Sequence, residues 1–100
     1  MFPVDDPAAI KVEWDPNKEV VNQRKHGISF HEAATVFLDP FSLISPDVEH
    51  SMGEQRHNIM GVSNGGKLLI VTYTERQKRL RIISARTPMK SERGDYEEGY

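Results

Sequence analysis

The stretch Arg79-Leu80-Arg81-Ile82-Ile83-Ser84-Ala85-Arg86 decides the fold. It is β-branched in the middle and basic at both ends. Strict alternation puts Leu80, Ile82 and Ser84 on one face and Arg79, Arg81, Ile83 and Ala85 on the other. This is a strand that is buried through its centre and presents cations at its ends. Just before it, Lys67 to Thr74 is the most strand-like run of the chain, and Glu75 to Lys78 turns one into the other. Arg56 to Ser63, centred on Ile59 and Met60, is a third strand. Asn64-Gly65-Gly66 links it to the next as a hairpin, since asparagine and glycine tolerate positive φ. Residues 56–86 therefore predict a three-stranded antiparallel meander.

The first half of the chain supplies the cover. Residues 1–9, with two prolines and two aspartates, read as a loose arm. Ile10 to Trp14 alternates as a short strand. Asp15-Pro16 opens a helix, with the carboxylate accepting from free N–H groups and proline at the first helical position. Gly27 ends that helix after His26. Val20 and Val21 are expected to face the core, and Lys18, Asn22 and Lys25 to share a face. Ser29 and Glu32 have capping-box spacing for a second helix, in which Phe30, Ala33, Ala34 and Phe37 are the apolar positions. Asp39-Pro40 ends it. Phe41 to Ile44 is a further strand, Asp47 to Glu54 a connecting loop, and Pro88 to Glu98 a short helix interrupted by Gly94. The expectation is one α+β domain over residues 10–100. It has an antiparallel sheet of three to four strands plus the short N-terminal strand, with two N-terminal helices and a short C-terminal helix on one face.

One hundred residues with 37% hydrophobic content support one modest core. The chain has no cysteine, which excludes disulfides and thiolate metal sites. No apolar run reaches membrane-spanning length and no signal-peptide pattern opens the chain, so a cytoplasmic protein is expected. The net charge of -2 conceals an asymmetry. Residues 1–55 hold four cations and ten acids, residues 56–93 nine cations and two acids, and the last seven residues three acids. The second half is thus the candidate surface for a polyanion, unless its cations are paired with the acidic half.

No P-loop, dinucleotide-binding glycine pattern, H-E-x-x-H or nucleophile elbow occurs. Arg56, Arg76, Arg81 and Arg86 lie at or near the ends of adjacent strands, and the meander is expected to gather several at one rim. Guanidinium groups bind phosphate bidentately and stabilise charge on a phosphodiester as it is cleaved. RNA needs no external nucleophile for this, because its own 2′-OH attacks. Arg81, inside the strand, could equally pair with Glu75 or with an acid of the first half. His26 lies at a helix C-terminus beside Lys25, where it is either a proton-transfer or phosphate group or a cap on the last carbonyls. His31, His50 and His57 have no ligand-like spacing, so they are read as surface residues and no metal or cofactor is expected. Glu92 and Tyr96 share a helix face. Either they reach over the basic rim, or Glu92 pairs with an arginine while Tyr96 packs on the core.

Trp14-Asp15-x-x-Lys18-x-x-x-Asn22-x-x-Lys25-His26-Gly27-Ile28-Ser29-Phe30 resembles the opening signature of the BrnT family of bacterial type II toxins. The likeness continues through Ala33, Phe37-x-Asp39-Pro40, Gly53-Glu54-x-Arg56, Gly61, Leu69-x-Val71-x-Tyr73-Thr74-x-Arg76, Arg81-Ile82-Ile83-Ser84-Ala85-Arg86, Glu92-Arg93 and Tyr96-Glu97. It covers about residues 10 to 98. Thr87-Pro88 and Gly94 depart from the family's usual pattern. The resemblance implies a RelE-like fold and a ribonuclease toxin that slows growth by cutting RNA. It also implies a BrnA-like antitoxin in a two-toxin, two-antitoxin assembly, with DNA reached only through the antitoxin and no membrane. On this reading the catalytic set is Lys25, His26, Glu54, Arg56, Arg76 and Arg86, acting without metal. Lys78, Arg79, Arg81, Lys90 and Arg93 would contact RNA. The rival reading is a non-catalytic module that docks an antitoxin or RNA through the same basic rim.

Overall fold

The computed structural model describes residues 11–98. The arm expected over residues 1–9, and Ile10, lie outside the described residues. The elements are β1 (Lys11–Trp14), α1 (Pro16–His26), α2 (Phe30–Ala34) running into a 3₁₀ turn (Thr35–Leu38), and β2 (Leu43–Pro46). A second 3₁₀ turn (Val48–His50) precedes β3 (Arg56–Val62), β4 (Leu68–Arg76), β5 (Arg79–Arg86) and α3 (Lys90–Glu98). The five strands form one sheet in the order β1-β5-β4-β3-β2. The meander β3-β4-β5 is antiparallel, as its turns require. β1 joins the edge of β5 in parallel, so the sheet is mixed and has one strand more than a four-stranded antiparallel core.

The caps form where the side chains dictate. Asp15 accepts from Asn17 N–H at 2.8 Å, Pro16 starts α1, and Gly27 closes it at φ +72° with its N–H on the Gln23 carbonyl. Ser29 Oγ accepts from Glu32 N–H at 3.1 Å. Glu32 does not return the bond; its Oε2 accepts instead from Ser63 Oγ at 2.6 Å. The first amide of α2, Phe30 N–H, is satisfied from α1 by Glu19 at 2.8 Å.

Several boundaries shift. β2 starts at Leu43 rather than Phe41, because Asp39 organises a turn, accepting from Phe41 N–H at 2.9 Å and from Val62 N–H at 2.7 Å. β4 runs on to Arg76, since Gln77 and Lys78 alone make the turn, at φ 50° and 66°, and positive φ at both positions suits the twist of a two-residue hairpin. α3 starts at Lys90 and passes through Gly94 without a break, with Glu92 Oε1 accepting from Met89 N–H at its N-terminus.

The main core joins one sheet face (Ile59, Leu69, Val71, Tyr73, Leu80, Ile82, Ala85) to Ile28, Phe30, Ala33, Val36 and Phe37. Trp14 packs against it edge-on to Phe30. A smaller cluster of Met60, Leu68 and Ile70 lies on the opposite face, under Leu43 and Tyr96. Helices therefore cover both faces, α3 shielding only one end of the second. Val20 and Val21, expected in the core, are 47% and 61% exposed. The buried residue of α1 is Asn22, 5% exposed.

Asn22 explains how α1 attaches. β1 pairs with residues 79–82 of β5 and then ends, leaving the rest of that edge without a strand. The Asn22 amide fills the place. Its Nδ2 donates to the Ala85 carbonyl at 2.9 Å and its Oδ1 accepts from Ala85 N–H at 3.0 Å. Nδ2 also donates to the Ile28 carbonyl at 3.1 Å.

The face assignment of β5 also changes. Thr72 pairs with Ser84 but Tyr73 with Ile82, so Ile83 is an extra residue, a β-bulge. Alternation restarts after it. Ala85, not Ser84, joins Leu80 and Ile82 in the core, and Ser84 and Arg86 turn to the opposite face.

Asn22→Leu keeps the branched shape but leaves three buried backbone groups unpaired, so it should cost about 3 kcal/mol of unfolding free energy. Asn22→Asp should also destabilise at neutral pH, because a carboxylate cannot donate to two carbonyls. Urea unfolding of both variants checks this; wild-type stability in the leucine variant would remove Asn22 as the anchor.

Candidate functional site

The bulge builds the open face. Opposite-residue pairing aligns Asn58 with Thr72 and Thr72 with Ser84 across β3, β4 and β5. Thr72 Oγ1 donates to Asn58 Oδ1 at 2.6 Å. Around this row lies a polar cleft of about 380 Å³, lined by Asp47, Glu49, His50, Arg56, Ile83 and Arg86 besides the row itself. Arg56 and Arg86, assigned to a phosphate from sequence, thus face one cavity.

The two arginines differ in their commitments. Arg86 makes a two-pronged pair with Glu92, Nη1 to Oε1 at 2.8 Å and Nη2 to Oε2 at 3.0 Å. Arg86's hydrogen bonds, with that from Met89 N–H, hold the Glu92 carboxyl down at about 2. In return Glu92 raises Arg86 further above its ordinary value. Arg56 is freer. Its buried Nε has no hydrogen-bond acceptor, and Glu54 Oε1 stands 4.0 Å away.

Lys25 and His26 line a neighbouring cleft, also about 380 Å³, with Asn17, Lys18, Val21 and Asn22. Its far wall is Ile83 and Ser84, which the first cleft shares. Lys18, Asn22 and Lys25 do share a face of α1, with the amide buried and both lysines exposed.

The remaining cations are dispersed. Arg76 donates to Glu54 through Nε at 3.2 Å and Nη2 at 2.9 Å. Arg76's hydrogen bonds lower the Glu54 carboxyl, assisted by the charges of Arg76, Arg56 and Lys18. Arg79 and Arg81 both pair with Glu13 on β1, at 3.3 and 2.8 Å, and the Arg81 hydrogen bond is the main reason that carboxyl is lowered. Arg81 therefore has its partner in the acidic first half. Arg76 and Arg79 line a separate cleft with Glu13 and Gln77. Lys78 is exposed in the turn, and Lys90 and Arg93 are exposed on α3, Arg93 lying 3.6 Å from Glu97. A single rim of four arginines does not form: Arg56 lines one cavity with Arg86 and shares Glu54 with Arg76, while Arg81, in register with Arg56 through Thr74, turns to Glu13.

α3 is fixed from its other end by Tyr96, whose hydroxyl donates to Asp39 Oδ2 at 2.6 Å. Burial pushes the Asp39 carboxyl up, but hydrogen bonds from Tyr96, Val62 and Phe41 outweigh it, and the group is lowered. The packing of Tyr96 and the pairing of Glu92 with an arginine both follow the simpler of the two sequence readings.

Sequence reasoning passed over His50. Its Nδ1 lies 3.0 and 3.1 Å from the two Asp47 oxygens, and the ring lines the same cleft as Arg56 and Arg86. An Asp-x-x-His spacing in a loop was the available signal. His31 packs on Trp14 and His57 stacks on Tyr73. Among the described residues, no group of three or more histidines and carboxylates is placed to hold a metal, and no helix is long and apolar enough to cross a membrane.

Because the Glu92 carboxyl is lowered on folding, it adds stability above its ordinary value of 4.5, and that stability is lost as pH falls towards about 2. Wild type should therefore exceed Glu92→Gln by a constant margin above pH 5, and the margin should shrink to nothing near pH 2. Urea unfolding of both proteins across this range checks the sign.

The comparisons bear on the whole arrangement. Residues 14–92 match the family model described as the ribonuclease toxin BrnT of type II toxin–antitoxin systems. Among solved structures, the crystal structure of the Brucella abortus ribonuclease toxin BrnT matches with a TM-score of 0.63 at 23% identity, covering 81% of this chain and 99% of that one. No curated protein matches. At that identity the structural likeness speaks for the fold, while the family match spans most of the chain, from Trp14 through the Arg86–Glu92 pair. The chain belongs to the BrnT family of ribonuclease toxins of type II toxin–antitoxin systems.

Proposed function

We propose that this protein is an endoribonuclease toxin that cuts RNA through the RNA's own 2′-OH, without metal, at the cleft over Asn58, Thr72 and Ser84. The observation that carries this reading is the placement of Arg56 and Arg86 on one polar cavity. Two guanidinium groups can grip a phosphate and stabilise the charge of a five-coordinate phosphorus. The Arg56 side chain, about a third exposed and with Glu54 no nearer than 4.0 Å, can turn its guanidinium to a phosphate. Arg86 is already oriented by a carboxylate, which resembles phosphate in presenting paired oxygens to the guanidinium fork. Lys25 and His26, one shared wall away, would bind the adjoining nucleotide's phosphate or carry a proton.

The other assigned residues take different parts. Glu54, held low by Arg76, is a weak base and serves better as the clamp that fixes Arg76 beside Arg56. Lys78, Arg79 and Arg81 at the turn, and Lys90 and Arg93 on α3, would add salt-dependent attraction for the RNA on either side of the cleft. A toxin of a type II system has an antitoxin partner. A BrnA-like antitoxin in a two-plus-two assembly, a RelE-like classification of the fold, a single domain over residues 10–100 and a cytoplasmic site of action complete the reading.

Purified, antitoxin-free protein should cut end-labelled RNA in EDTA, on free RNA or on ribosomes, leaving cyclic phosphate or 3′-phosphate ends. Arg56→Ala and Arg86→Ala should each lose activity by about 100-fold or more while staying folded. Folded variants that cut at the wild-type rate would remove these arginines from the site. Absence of cutting by the wild type, with RNA still bound, would favour the non-catalytic docking module.

A further inference from the structure

Proton transfer at this cleft requires a group that can take the 2′-OH proton, and the two arginines cannot. The structure assigns this role to His50, held by Asp47, as the general base of RNA cleavage. The assignment deepens the ribonuclease reading and rests on it.

Four observations support it. First, His50 lines the cleft that Arg56 and Arg86 line, so a phosphate held there shares one cavity with its ring. Second, both Asp47 oxygens lie within hydrogen-bond reach of His50 Nδ1, at 3.0 and 3.1 Å. A carboxylate can only accept, so Nδ1 carries the hydrogen, and in the neutral ring the lone pair then lies on Nε2. Third, the His50 side chain is 62% exposed while that of Asp47 is 15% exposed, so the orienting group is sheltered and the ring stays accessible. Fourth, the turn bearing the pair is fastened to Arg56 itself. Asp47 N–H donates to the Arg56 carbonyl at 2.8 Å. Ser51 Oγ accepts from Arg56 N–H at 2.9 Å and donates to the Asp47 carbonyl at 2.6 Å. The base and one phosphate ligand therefore sit on a common frame.

The other histidines lack this combination. His26 lines the neighbouring cleft, with no carboxylate in hydrogen-bond reach among the described residues. His31 is 82% exposed, with its closest carboxylate, Glu19, at 3.8 Å. His57 stacks on Tyr73, and its buried Nδ1 has no partner.

The step balances with water alone as co-reactant. The 2′-oxygen gives its proton to His50 Nε2 and forms a bond to phosphorus. The bond from phosphorus to the 5′-oxygen breaks, and that oxygen leaves with the electron pair and takes a proton from water. His50 then releases its proton to the hydroxide formed. The products are a 2′,3′-cyclic phosphate and a 5′-hydroxyl. Arg56 and Arg86 hold the non-bridging oxygens, and Asp47 is a positioning residue.

The test compares wild type, His50→Ala, His26→Ala and Asp47→Asn for cleavage of end-labelled RNA, free and ribosome-bound, with and without added imidazole. Binding of the all-2′-deoxy form of the same oligonucleotide, which cannot be cut this way, is measured in parallel. His50→Ala should lose about 100-fold or more in cleavage rate, bind the deoxy oligonucleotide as wild type does, and regain cleavage with imidazole. Asp47→Asn should lose less and respond less to imidazole, because its ring is still present. Cleavage by His50→Ala at the wild-type rate, or a loss confined to His26→Ala, would overturn the assignment and leave the ribonuclease reading intact. A wild type that cuts neither RNA would overturn both.

Discussion

The amide of Asn22 substitutes for a strand. Where β1 stops, the edge of β5 needs a partner for Ala85, and a side chain with one donor and one acceptor supplies both bonds. Burial makes this a strong constraint, because the groups it pairs have no water to fall back on. Much of the cleft depends on it. The same helix carries Lys18, Lys25 and His26, so the bond that anchors it to the sheet edge also sets how far these side chains stand from Ser84. The bulge at Ile83 lies two residues from the anchored amide and decides which way Arg86 points. Without the extra residue, Arg86 would share a face with Leu80 and Ile82 and meet the apolar core. With it, Arg86 joins Arg56 over the open face.

The cations are divided by the carboxylates they meet. Glu13 takes Arg79 and Arg81, Glu54 takes Arg76, and Glu92 takes Arg86. The positive second half is thus largely balanced by acids, three of which lie outside it or on the last helix. This partition sharpens the site, because a surface of uncommitted arginines would bind phosphate anywhere, whereas here the arginine least committed to a carboxylate, Arg56, lines the cleft. Glu92 holds Arg86 in a two-pronged geometry that a phosphate can adopt in its place. α3 is pinned at one end by that pair and at the other by Tyr96 on Asp39, so the latch sits on a fixed element.

Much of this was legible in the sequence, and what was not has physical reasons. Asp15-Pro16, Gly27 and Asn64-Gly65-Gly66 act through local backbone chemistry, and the caps and the hairpin appear where those residues stand. The meander follows from strand runs joined by short turns. A bulge has no composition of its own: Ile82-Ile83-Ser84-Ala85 reads as unbroken strand, so Ser84 and Ala85 exchange faces unannounced. Asn22, on one helix face with Lys18 and Lys25, reads as solvent-facing, while Val20 and Val21 read as core; the edge of β5 reverses both. The parallel docking of β1 is a pairing across the length of the chain, beyond any local pattern. His50 matches no metal-ligand spacing, because its partner is one carboxylate three residues away.

The central claim is that Arg56 and Arg86 form one phosphate site, in which Arg79 and Arg81, held by Glu13, take no part. The most direct measurement is a titration of the full chain with a 2′-deoxy dinucleotide, following the Nε–Hε signals of nitrogen-15-labelled arginines by NMR. The account predicts that Arg56 and Arg86 shift together along one saturation curve, while Arg79 and Arg81 stay on Glu13 and move little. Shifts concentrated at Arg76, Arg79 and Arg81, with Arg56 and Arg86 unmoved, would contradict it.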